Sequence, residues 1–228
     1  MRNRLKGLAG AVPVDTWERL LAYSILREKF GSVSRAVVFE TREQLWEKCV
    51  NECVGRDVPM TYVEYGVHEG YSISFFASKN SSAESVFFGL DSFEGLPEDW
   101  GSASMPKGSF DVGGTVPSVS DDRVRFIKGW FQNTSEQLLH SVNEKGTQQL
   151  VVHYDADLYS STLFALSRMA TLRRPYYAIF DEFVGHETRA LYNFVQAFNV
   201  DVQFLAQTLW KGTYPQQVLC KISPAADS

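Results

Sequence analysis

Acidic side chains close several short apolar runs in this chain, and their spacing is the first clue to chemistry. YVEYGVHEG places Glu64 just before a turn containing Gly66 and Gly70, and FFGLDSFEGLP places Asp91 27 residues after Glu64. VVHYDADLYSST carries Asp155, and YYAIFDEFVGHE carries Asp181, 26 residues further on, with Glu182. In an open parallel sheet, ligands bind beyond the carboxyl ends of the strands, so acids at those ends mark a site. Gly66 and Gly70 let the backbone turn tightly against a ligand, although a lone G-x-x-x-G turn reads equally well as structural. Asp91 can accept both ribose hydroxyls of an adenosine, with Phe93 beside it to stack on the base. The competing reading is a helix cap, which Asp91 and Ser92 both suit. Turn and acid together favour a nucleoside cofactor.

A dinucleotide needs room for its pyrophosphate, which three closely spaced glycines normally supply at a helix N-terminus. Here the turn carries Glu69 and lacks the tight G-x-G. A carboxylate repels phosphate but attracts the sulfonium and ammonium of S-adenosylmethionine, so methyl transfer is expected. The candidates for binding that cofactor are Glu64, Gly66, Gly70, Ser72 at the start of the next helix, Asp91, Phe93, Trp130 and Asp155. Trp130 is placed either to stack on adenine or to fill the loop after its strand.

If the runs ending at Asp155 and Asp181 form neighbouring strands, their ends lie about 5 Å apart and Asp155, Asp181 and Glu182 converge. Three carboxylates so close repel unless a cation sits among them, and hard oxygen ligands suit magnesium or calcium. In the competing reading Asp155 caps a helix and Glu182 faces solvent. Methyl transfer to a hydroxyl needs an in-line approach and removal of the hydroxyl proton. Asp155 and His186 are the candidate proton acceptors, against the reading of His186 as a surface histidine at a helix start. His153 alternates with Asp155 along a buried strand and is expected to be a hydrogen-bonded core residue. His140 ends an amphipathic helix, and His68 shapes the cofactor turn.

These residues need a scaffold that brings strand ends together. Strands are expected at 62–67, 86–91, 124–128, 150–155, 176–181, 200–205 and 217–222, with helices at 72–78, 135–141, 159–172 and 187–198. That alternation predicts an α/β, Rossmann-like domain with a mostly parallel seven-stranded sheet over 59–228. The last two strands, joined by KGTYP without a helix, should form an antiparallel hairpin at the end of the sheet. Residues 1–58 read as an N-terminal helical extension, with Thr41 as an N-cap before Leu45, available to cover the cleft or to pack on a second copy. The stretch 94–122 has no periodicity and is expected to be a lid.

Length and composition narrow the partners. The chain has 228 residues, 44% of them hydrophobic, and a formal net charge of −5. It can bury a full core, and with no long basic run it is not expected to bind nucleic acid or an anionic membrane. Gly7, Gly10 and Pro13 interrupt the leader-like start, and no apolar run approaches the roughly 20 residues of a membrane span. Cys49, Cys53 and Cys220 are too few for a disulfide framework and suit a reducing cytoplasm; Cys49 and Cys53 share a helix face with Leu45, which packing explains.

Taken in order, YVEYGVHEG, GLDSFEGLP, VRFIKGWFQNT, VVHYDADLYSST and AIFDEF resemble the macrocin O-methyltransferase family across about residues 62–190. The resemblance implies a class I methyltransferase fold. It also implies that Glu64, Gly66 and Gly70 line the methionine end of the cofactor, that Asp91 holds the ribose, and that Ser92, Phe93, Gly129 and Trp130 flank adenine. Acids matching Asp155, Asp181 and Glu182 would hold a magnesium ion against the acceptor hydroxyls. Two departures stand out: Arg173, Arg174 and Pro175 replace a Gly-Gly pair, and Asp181–Glu182 replaces two aspartates. The expected function is therefore methyl transfer to a hydroxyl of a small molecule, a sugar or another natural product. The alternatives are an NAD-dependent oxidoreductase, which would bind NAD more tightly than adenosylhomocysteine, and a non-catalytic adenosylmethionine-binding protein.

Overall fold

A computed structural model describes residues 14–100, 105–146, 148–183 and 185–225. The leader-like start at 1–13 and residues 101–104 of the expected lid lie outside the described residues.

The chain begins with α1 (Val14–Phe30), a short 3-10 turn (Val33–Arg35) and β1 (Val37–Phe39). Next comes α2 (Arg42–Lys48), which runs on as a π-helical turn (Cys49–Val54). Then follow β2 (Met60–Tyr65), α3 (Tyr71–Lys79), β3 (Val86–Asp91), β4 (Val124–Lys128) and α4 (Phe131–Glu144). The remainder is β5 (Gln149–Tyr154), α5 (Tyr159–Ala170), β6 (Tyr176–Phe180), α6 (His186–Ala197), β7 (Val200–Trp210) and β8 (Tyr214–Pro224). One sheet holds all eight strands in the order β1-β7-β8-β6-β5-β2-β3-β4, parallel except for β8.

All seven expected strands are present, but the sheet has eight. The added strand, β1, lies in the segment read as helical, where three residues pair parallel with β7. A run this short carries no periodicity, and only the free edge of β7 makes it a strand. The hairpin is antiparallel as expected but longer than read, and it is not at the sheet's end, because β1 lies outside it. The start of α2 follows the sequence closely: Thr41 caps it and Gln44 closes a capping box.

Each face of the sheet carries its own core. Val63, Tyr65, Val152, Tyr154 and Phe180 pack with Leu138, Leu166 and Phe194 of α4, α5 and α6. On the other face Tyr62, Val151, Ile179 and Leu219 pack with Trp46 and Phe76 of α2 and α3. Fully burying each large apolar side chain contributes roughly 1.5–3 kcal/mol. This two-sided burial is why β2, β3 and β5 read as near-continuous apolar runs. Arg123 fixes the foot of β4 by donating to the carbonyls of Ala77, Asn80 and Ser82 while pairing with Asp121 at 2.7 Å. The C-terminal arm of the 94–122 loop is thus tied to the end of α3 and the turn that follows it.

Candidate active site

Beyond the carboxyl ends of β2, β3, β5 and β6 lies a cavity of about 700 Å³. Leu96, Pro97, Trp100 and Phe110 of the 94–122 loop line one side of it. The loop's fold is held by Leu96 N–H to Ser109 O at 2.9 Å, Gly108 N–H to Leu96 O at 2.9 Å and Ser160 Oγ to Glu98 at 2.6 Å.

On the β2–β3 side the floor is the glycine turn. Gly66 has φ of 90°, and a Cβ there would lie 1.8 Å from the carbonyl oxygen of Asp155, so the close approach of two strand ends demands glycine. Asp91 does not cap a helix: its Oδ2 accepts from Val67 N–H at 2.7 Å and His68 N–H at 2.9 Å, and its Oδ1 from Phe93 N–H at 2.7 Å. A carboxylate has about four lone-pair sites, so Asp91 holds the turn and keeps one site for a ligand hydroxyl. Ser92 and Trp130 also line the cavity.

Several expected cofactor residues lie away from this surface. Phe93 is 1% exposed, with φ of 61°, and packs edge-on to Phe126 in the core. Gly129 sits behind Trp130, its N–H bonded to the carbonyl of Asp91 at 2.8 Å. Gly70 is covered by Pro117 of the 94–122 loop, 3.2 Å from where a Cβ would stand. Glu64 is fully buried and accepts from Ser72 Oγ, so both face the interior beneath the turn.

On the β5–β6 side the acids do converge. Asp155 follows β5, Asp181 follows β6, and Asp155, Asp157, Asp181 and Glu182 all line the cavity. His153 joins them from below: it is fully buried, 3.0 Å from Tyr62 Oη, 3.5 Å from Glu64 and 3.8 Å from Asp181. Burial disfavours its charge, but Asp181 and Glu64 outweigh that and raise its pKa to about 10. Burial likewise opposes ionisation of Asp181, yet His153, Gln217 and the Arg42 guanidinium hold its carboxyl below the usual range. Burial and then Asp181 push the Asp155 carboxyl well above that range, against the opposing charge of His153. Asp157 is raised to about 7 by burial and by Glu182, Asp181 and Asp91. Glu187, at the start of α6, is 1% exposed, accepts from Glu182 N–H at 2.9 Å and is raised well above the usual range by burial and Asp181.

So many carboxylates in one wall favour a cation among them. Ligand atoms of His153, Asp155 and Asp181 lie within 4.8 Å of one another, close enough to share one ion once the proton these acids hold on His153 has left, and the Nε2 of His153 is buried with no hydrogen-bond partner among the described residues. The two carboxylates offer the hard oxygens magnesium takes, so the residues fit a divalent cation. Glu182 lies beside them on the cavity wall rather than in that close group. His186 stands apart: its Nδ1 accepts from Tyr159 N–H at 3.3 Å at the start of α5, and it does not line the cavity. Sequence reasoning missed Asp157, Glu187 and Gln217 and put His153 in the core alone. The i, i+2 spacing already places His153 and Asp155 on one face of β5 and its first following residue, whereas Asp157, with a φ of 57°, lies outside that alternation.

The macrocin-O-methyltransferase family model matches residues 115–214, a stretch that includes Asp155, Asp157, Asp181 and Glu182. Over that stretch the chain is similar to that family. Among curated proteins, a Streptomyces olivaceus enzyme is 28% identical over 166 residues, covering 64% of this chain and 60% of its own length. It is named as the 4'-O-methyltransferase of 8-demethyl-8-(2,3-dimethoxy-alpha-L-rhamnosyl)-tetracenomycin-C. The O-methyltransferase NovP superposes with a TM-score of 0.58 at 21% identity over 78% of each chain. A Bacillus cereus O-methyltransferase bound to adenosylhomocysteine gives 0.51 at 15% identity over 93% of this chain and 91% of its own. TomG of Streptomyces achromogenes, bound to adenosylmethionine, gives 0.51 at 16% identity over 92% and 96%. The fold is that of the class I methyltransferases. No helix among the described residues is long and apolar enough to cross a membrane.

Proposed function

We propose that this chain is an S-adenosylmethionine-dependent O-methyltransferase acting on a hydroxyl of a small molecule, a sugar or a sugar-bearing natural product. The observation that carries the reading is that Asp91, the last residue of β3, and Asp155 and Asp181, after β5 and β6, line one cavity. Adenosylmethionine supplies a methyl carbon on a sulfonium leaving group. Asp91, Ser92 and Trp130 hold its nucleoside, and the Gly66 turn faces its amino-acid end. Asp155 and Asp181 face the acceptor, and an acceptor oxygen forms its bond to the methyl carbon as the sulfur–carbon bond breaks. With the positive sulfonium in the cavity offsetting the neighbouring acids, the Asp155 carboxylate is ionised and takes the hydroxyl proton. Trp100 and Phe110 of the 94–122 loop exclude water, which would otherwise compete as acceptor. A magnesium ion, where one is bound, would be held by Asp155 and Asp181 with Glu182 beside them, and would supply a charge that lowers the pKa of the acceptor hydroxyl.

Incubation with labelled adenosylmethionine and a panel of rhamnosylated aromatic polyketides and free deoxysugars tests the reading. The expected product is an O-methyl ether, identified by mass and NMR; tighter binding of NAD than of adenosylhomocysteine, or methylation at nitrogen or carbon alone, would sink it. Asp91→Ala separates cofactor binding from acceptor chemistry. It removes the ribose acceptor and leaves three backbone N–H groups without theirs, at about 1–3 kcal/mol for each one that stays buried. Adenosylhomocysteine affinity measured by calorimetry is expected to fall at least about 100-fold. Retention within threefold would show that Asp91 has no part in the cofactor site.

A further inference from the structure

Asp181 is gripped from a direction that none of the site motifs contains. Gln217, on β8, donates from Nε2 to Asp181 Oδ1, although Gln217 lies 36 residues further along the chain. A carboxylate only accepts, so the amide nitrogen must be the group that faces it.

The sheet is built irregularly at this point. Gln207 pairs with Val218 and Leu209 with Pro215, so Gln216 and Gln217 of β8 stand opposite Thr208 alone on β7. Such a bulge re-aims a side chain and is over-represented beside active sites. Both bulged residues are tied in place. Gln217 N–H donates to Thr208 Oγ1 at 3.0 Å, and Gln216 accepts from Phe183 N–H at 2.8 Å, two residues past Asp181. Gln217 is 2% exposed, and its Oε1 has no partner among the described residues. Burying an amide with one unsatisfied end costs about 1–3 kcal/mol, so packing alone would be better served by an apolar side chain.

We infer that Gln217 is a positioning residue: the β8 bulge exists to aim its amide at Asp181, occupying Oδ1 and leaving Oδ2 turned toward the acceptor side of the cavity. The inference rests on the proposed role of Asp181 as an acceptor-side or metal-holding acid. It adds that the C-terminal hairpin, and not only the strand ends, fixes the geometry of that acid.

Gln217→Met keeps the length and volume of the side chain and removes the donor. The full chain, with adenosylhomocysteine bound, would be titrated with Mn²⁺ as the probe and crystallised in both forms. Loss of a group that orients a metal ligand typically costs 10–100-fold in affinity. Mn²⁺ is expected to bind at least 10-fold more weakly to the variant, with adenosylhomocysteine affinity within twofold of wild type and the Asp181 carboxylate rotated in the crystal. A purely structural Gln217 would instead lower the melting temperature and leave Mn²⁺ affinity and Asp181 unchanged, and that result overturns the inference. If wild type takes up no Mn²⁺ while Asp181 still rotates in the variant, the metal reading fails and the positioning role stands. If Asp181 keeps its wild-type orientation, the positioning role fails whatever the metal does.

Discussion

Asp155→Asn is expected to lower methyl transfer by about 10²–10⁴-fold, the range typical of losing a positioned proton acceptor. The same change should leave adenosylhomocysteine bound with nearly wild-type affinity. Asparagine keeps the shape of the side chain, so the close contact between the Asp155 carbonyl and Gly66 and the bond from Asp155 N–H to Tyr65 O at 2.9 Å both survive. What disappears is the group that can take up a proton. Asp155 faces Asp181 across neighbouring strand ends, and burial together with that neighbour pushes its carboxyl well above the ordinary range. A folded-state pKa above the unfolded one means that ionisation opposes folding, so stability falls as pH rises through the folded value. Removing the group should therefore raise metal-free stability at neutral pH, seen as a higher melting temperature. Activity and stability moving in opposite directions is the signature of an acid kept for function. Turnover with an acceptor found in the screen, together with calorimetric melting of the metal-free protein, checks both halves. Transfer within threefold of wild type would remove Asp155 from the mechanism.

What the sequence revealed, and what it hid, follows from how far each constraint reaches along the chain. The strands β2, β3 and β5 were legible because burial on both faces leaves an unbroken apolar run, and α2 because Thr41 and Gln44 form its cap within four residues. Asp155 and Asp181 were legible because a βαβ unit brings consecutive strand ends together by necessity. Other features depend on partners distant in sequence. β1 is a strand only because β7 offers an edge. Phe93 sits where an adenine stack would be drawn on paper, but its positive φ turns the ring into the core against Phe126. Glu64 looks like a cofactor ligand until Ser72, in the first turn of α3, is seen to cover it. Gln217 is invisible as a site residue because a bulge, which has no sequence periodicity, decides where its amide points. The cofactor turn could be found from glycine spacing. The reason for Gly66 could not, since it lies in the backbone of a strand 89 residues away.

That reason gives the most damaging single substitution expected anywhere in the domain, Gly66→Ala. Two costs fall on one methyl group. The φ of 90° is strained for any residue with a Cβ, at about 1–3 kcal/mol. The added carbon would also meet the carbonyl oxygen of Asp155 at 1.8 Å, and that oxygen belongs to backbone with no flexible side chain to swing aside. Relief requires the end of β5 to move away from β2, which strains the bond from Asp155 N–H to Tyr65 O and the bond from Gly66 N–H to Leu90 O at 3.0 Å. The combined cost should exceed about 3 kcal/mol, a fall of roughly 10 °C in melting temperature or outright failure to accumulate as folded protein. Gly108→Ala isolates the first cost from the second. Gly108 has a φ of 86°, but a Cβ there meets nothing within 4 Å, so only the backbone strain applies. Calorimetric melting of the two variants side by side should place Gly66→Ala at least about 5 °C below Gly108→Ala. Equal melting temperatures would mean that the ends of β2 and β5 can separate freely. The Asp91 turn and the Asp155–Asp181 pair could then not be held in the fixed relation that methyl transfer between them requires.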